Sequence, residues 1–145
     1  MARAAQEPGP IVVGFDGSEH AKTALTWALR QAELTGARLV AVTCWEYPMN
    51  FGWVPPFPSD FRPDEDARRM LDEAIEQAQI GHGHLDVDRV VVEGNPAQVL
   101  LDTAKGADLL VLGTRGHGGF TGLLLGSVSE YCVAHAGCPV VVVRH

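Results

Sequence analysis

Five short apolar runs, separated by stretches of helical periodicity, constrain this chain more than any other feature. The runs cover residues 11–15, 39–45, 89–92, 108–112 and 140–143. After the first, Ala21, Ala24, Leu25, Ala28, Leu29 and Ala32 recur at the spacing of one helix face. After Pro63, Ala67, Met70, Leu71, Ala74 and Ala78 do the same. Strands alternating with helices predict an α/β fold, a doubly wound five-stranded parallel sheet with helices on both faces. The runs are nearly continuous in apolar residues, as strands covered on both faces must be. In such sheets ligands bind at the carboxyl ends of the strands, where the strand order reverses. If the order is 3-2-1-4-5, which the runs alone do not fix, that point falls between the first and fourth strands, next to Asp16 and Gly113.

The punctuation is consistent with this division. Ser18 is placed to cap the first helix and Gly36 to end it. Asn95-Pro96 is a cap and first-turn pair. Asp64, Glu65 and Asp66 suit the positive end of the helix that Pro63 opens. The segment 46–62 is long for a compact domain and carries Tyr47, Phe51, Trp53, Phe57 and Phe61 among several prolines. It reads as a packed surface loop, a lid over a ligand or a partner-contact surface. Residues 1–9 are expected to form a flexible tail, and residues 10–145 a single domain.

Chemistry concentrates after the fourth strand. Glycines stand at 113, 116, 118, 119, 122 and 126, and helical periodicity resumes with Val128. Strand, glycine-rich loop and helix N-terminus in that order make an anion site. Glycine lets backbone N–H groups approach a phosphate closely, and the helix start adds unpaired donors. The spacing is Gly-x2-Gly-x9-Gly-Ser. It is neither the Gly-x4-Gly-Lys-Ser/Thr loop nor the Gly-x-Gly-x2-Gly dinucleotide fingerprint.

Several side chains bear on such a site. Asp16 suits ribose hydroxyls or a Mg²⁺ bridging phosphates, and equally an Asx turn before Gly17. Val42 offers strand backbone to a base edge. Arg115 is a fork donor for phosphate or a solvated loop residue. His117 lies in the loop without a visible activating partner. Ser127 and Ser129 are hydroxyl donors at the helix start, and Ser129 equally fits a first-turn structural role. Cys132, His135 and Cys138 lack a fourth ligand, so structural zinc is not expected and Cys132 is read as core. No catalytic triad or nucleophile elbow is present.

The net charge of −7 argues against general nucleic-acid or anionic-membrane binding. No apolar run reaches the length of a membrane span or signal core, which makes the cytoplasm the expected compartment. Three cysteines do not suggest a disulfide framework. Val140–Val143 at a sheet edge would expose an apolar strand, which invites a homodimer across a two-fold axis.

Three segments resemble the universal stress protein family, in its ATP-binding single-domain branch. They are Ile-Val-Val-Gly-Phe-Asp-Gly-Ser at 11–18, Gly-Asn-Pro-Ala at 94–97, and residues 113–143. The resemblance implies the strand order 3-2-1-4-5 and dimerisation through the last strand. It also implies ATP, held by Asp16, Val42, Gly113, Arg115, Gly116, Gly126, Ser127, Val128 and Ser129, and the reading of Asp16 adds Mg²⁺. The expected role is an ATP-binding stress-response or signalling module. The alternatives are a slow ATPase or phosphotransfer enzyme, an AMP or cyclic AMP binder, and an interaction protein that binds no nucleotide.

Overall fold

The computed structural model describes residues 8–46, 62–114 and 125–145. The expected lid or contact loop and most of the expected tail lie outside these residues. The elements are β1 (Ile11–Gly14), α1 (Glu19–Thr35), β2 (Leu39–Trp45), α2 (Pro63–Gln79), β3 (Val87–Glu93), α3 (Pro96–Thr103), β4 (Leu109–Gly113), α4 (Ser127–His135) and β5 (Val140–Val143). All five strands form one parallel sheet in the order β3-β2-β1-β4-β5. The expected alternation, strand order and switch point are therefore all observed.

Local chemistry places the helix ends. Ser18 caps α1, its Oγ accepting from the Ala21 N–H at 3.1 Å. Gly36 ends α1 in the left-handed region at φ 73°, and its N–H donates to the Ala32 carbonyl. Asn95 caps α3 by accepting from the Gln98 N–H at 3.2 Å, and Pro96 occupies the first turn. We expect Ser18→Ala to destabilise the fold by about 1 kcal/mol, the usual effect of losing an oxygen cap. A shift in urea midpoint at constant slope measures it, and no shift refutes the role.

Burial divides the sheet into two faces. Val13, Leu39 and Val111 pack with Leu25 of α1 and Leu71 and Ile75 of α2. Val12, Val42, Leu110 and Leu112 pack with Leu100 of α3 and Cys132 of α4. Alternate residues of one strand thus serve opposite cores, which is why each strand is apolar throughout.

One boundary moved. β3 begins at Val87, two residues before the expected start, because Val87 is buried and pairs with Leu39. The intervening Asp88 and Arg89 are exposed on this edge strand. They bond to Arg38 and, at 2.7 Å, to Asp72 of α2. Among the described residues β5 pairs only with β4, and its four valines are all partly exposed. No described helix is long and apolar enough to cross a membrane.

Candidate functional site

A cleft opens at the carboxyl ends of β1 and β4. Asp16, Val42, Gly113, Val128 and Ser129 line it together. These five expected residues come from four separate segments of the chain. Gly126 is the N-cap of α4 and Ser127 its first residue, directly before Val128. Arg115, Gly116 and His117 lie outside the described residues.

The floor is apolar, with Val42, Leu100 and Leu112 beneath the opening. The walls are the first turns of three helices. Ser18 and His20 belong to the start of α1, Pro96 to α3, and Val128 and Ser129 to α4. Each helix start carries unpaired N–H donors and a partial positive charge. Three converging on one cleft create a local preference for an anion in a chain whose net charge is −7.

Individual roles are more specific than the sequence suggests. Asp16 does form the Asx turn, its Oδ1 accepting from the Ser18 N–H at 3.0 Å and the Ser18 hydroxyl at 2.6 Å. The same carboxylate lines the cleft, so the turn fixes a negative charge at its edge. The Ser129 side chain is buried, and its hydroxyl donates to the Gly113 carbonyl at 2.9 Å. It ties the first turn of α4 to the end of β4. A Cβ on Gly113 would stand 2.5 Å from the carbonyl oxygen of His20. Glycine is required here by the contact between β4 and α1, independently of any ligand.

The Val42 carbonyl already accepts from the Phe15 N–H at 2.8 Å, within the pairing of β1 and β2. Val42 contributes its side chain to the floor. Cys44, two residues on and on the same face, also lines the cleft at the end of β2. Burial, and then the nearby Glu46 carboxylate, push its thiol up to about 11. Cys44 is accordingly a neutral thiol at pH 7. We expect its alkylation to be slow from pH 7 to 9 and to accelerate only as pH approaches 11. Rapid iodoacetamide labelling of Cys44 at pH 7.5, read by peptide mass, would contradict this.

His20 and Cys44 were not identified from the sequence. For His20 a signal was present. It stands two residues after a helix cap, and that cap follows a strand at the carboxyl edge of the sheet. Cys44 sits within an apolar run, where nothing local distinguishes it from core.

The sequence profile of the universal stress protein family matches residues 8–144. The chain belongs to the universal stress protein family. This universal stress protein is 38% identical over 139 residues to one from Thermus aquaticus, covering 92% of this chain and 97% of the relative. It is 39% identical over 136 residues to a Mycolicibacterium smegmatis universal stress protein, covering 93% of this chain and 45% of that one. The chain thus spans about half the length of its mycobacterial relative. A universal stress protein solved in complex with cAMP superimposes with a TM-score of 0.70 at 28% identity, covering 95% of this chain and 98% of that one.

Proposed function

We propose that this universal stress protein is an adenine-nucleotide-binding module, with ATP as its ligand. The observation that carries the reading is the convergence of three helix N-termini on an apolar-floored cleft at the strand-order switch point. An apolar floor suits a base, and the helix starts suit phosphates. The cAMP complex of a relative supports adenine nucleotides as the ligand class. The glycine pattern from Gly113 to Gly126, with Ser127 following, favours a ligand with several phosphates.

The base lies over Val42 near Cys44, and the phosphates run toward Gly113, Gly126, Ser127 and the loop carrying Arg115, Gly116 and His117. Val128 packs beside the sugar. Ser129 contributes through its position, since its proton is engaged by Gly113. Asp16 faces the ribose. Among the described residues lining the cleft it is the carboxylate that could join phosphates and water around a Mg²⁺. ATP occupancy orders a surface that partners read, which suits a signalling role in the cytoplasm.

The test is calorimetric titration with ATP, AMP and cyclic AMP, with and without Mg²⁺, on wild type and Gly116→Ala. ATP is expected to bind once per chain, at least about tenfold more weakly in the variant, a difference of about 1.4 kcal/mol. Absence of binding by all three nucleotides overturns the proposal, and preference for cyclic AMP overturns the choice of ATP. Product release followed in the same samples separates a switch from a slow ATPase.

We also propose a homodimer through β5. Its valines are partly exposed, and Tyr131 and Val133 are exposed on the adjoining α4. Pairing two copies of this edge would satisfy both sets of backbone groups at once. Sedimentation is expected to give twice the chain mass, and Val142→Pro, which removes an edge N–H, is expected to give monomer.

A further inference from the structure

A second cluster lies at the mouth of the cleft, outside the groups assigned to the nucleotide. His20, on the first turn of α1, and His145, just past β5, bring their rings to 5.1 Å between centres at an interplanar angle of 62°. Each ring is approached at Nδ1 by a threonine hydroxyl. Thr23 Oγ1 lies 3.0 Å from His145 Nδ1, and Thr114 Oγ1 lies 3.5 Å from His20 Nδ1. This leaves Nε2 of both rings as the coordinating atom.

We propose that His20 and His145 bind one borderline divalent cation, of the Zn²⁺ class. Two imidazoles on a single tetrahedral ion, with metal–nitrogen distances of about 2.0–2.1 Å, hold their ring centres about 5 Å apart. The observed separation matches that spacing. A ligating histidine commonly has its second nitrogen held by a hydrogen-bonding partner, which fixes tautomer and ring orientation. Thr23 and Thr114 occupy that position. The donor set is two nitrogens, which selects Zn²⁺, Ni²⁺ or Co²⁺ over Mg²⁺. Among the described residues no group of three or more His, Cys, Asp or Glu stands together as a metal site. Two protein nitrogens would leave the other positions of a four-coordinate ion to water or to an anionic ligand entering the cleft that His20 lines.

Zn²⁺ titration of the untagged protein without nucleotide tests the site and leaves the nucleotide proposal untouched by its outcome. One ion per chain is expected. His20→Ala and His145→Ala should each weaken binding at least about tenfold, and Thr23→Val about tenfold through the lost partner of His145. The exposed pair His82 and His84, beside Asp86, is the control, and a His82→Ala/His84→Ala variant should bind as wild type does. His145 is exposed beyond the last strand, so its removal does not threaten folding. Retained affinity in either His20→Ala or His145→Ala, or loss in the control variant, overturns the proposal and leaves the two rings as an edge-to-face packing contact.

Discussion

Gly113→Ala is expected to destabilise the protein by about 3 kcal/mol, the upper end of what an added methyl group costs in a packed site. The new Cβ would meet the His20 carbonyl oxygen at 2.5 Å and its carbonyl carbon at 2.6 Å. Both are backbone atoms of the first turn of α1, so no side-chain rotation relieves the clash. Either β4 or the capped end of α1 must move. Gly36→Ala provides the contrast. Nothing lies within 4 Å of a Cβ there, but φ is 73°. Its cost is conformational alone, about 1–2 kcal/mol. The difference in urea midpoint between the two variants measures the clash. Equal midpoints would show that β4 and α1 are not packed as described. Because the displaced turn carries His20 into the cleft wall, nucleotide affinity should fall together with stability in Gly113→Ala and not in Gly36→Ala.

Leu110→Ala is expected to lose about 2–5 kcal/mol. Leu110, the second residue of β4, is wholly buried in the core shared with α3 and α4. Domains of this size have a total stability of about 5–15 kcal/mol, so this substitution alone brings the chain near its threshold. Leu34→Ala is the matched control. That side chain is 76% exposed on α1, and its truncation should change stability by no more than about 0.5 kcal/mol. Thermal or urea unfolding of both variants decides the point, and similar losses would mean that the two-faced core is misassigned.

Much of the architecture is legible because short-range chemistry carries it. The apolar runs, Ser18 before a helix, Gly36 after it and Asn95-Pro96 before another each act within a few residues. Their spacing alone implies parallel strands with helices between them. The same logic failed at the start of β3. Val87 is separated from the valine run by Asp88 and Arg89, whose ion pairs to Arg38 and Asp72 keep polar residues on an edge strand. Local pattern contains no trace of those partners.

The site divides in the same way. The sequence by itself determined that a buried strand ends near Gly113 and that a helix begins with Gly126 and Ser127, because apolar runs and helix starts are local properties. It also placed Asp16 at a strand end, where its Asx turn with Ser18 is equally local. Only the tertiary structure decided that Gly113 must be glycine because of His20, that the Ser129 hydroxyl is given to the Gly113 carbonyl, and that three helix starts share one cleft. It alone brought His145 to His20 from the far end of the chain. The physical reason is that these are contacts between segments distant in sequence. Their geometry is set by strand order and register, which fix which helix turn meets which strand end.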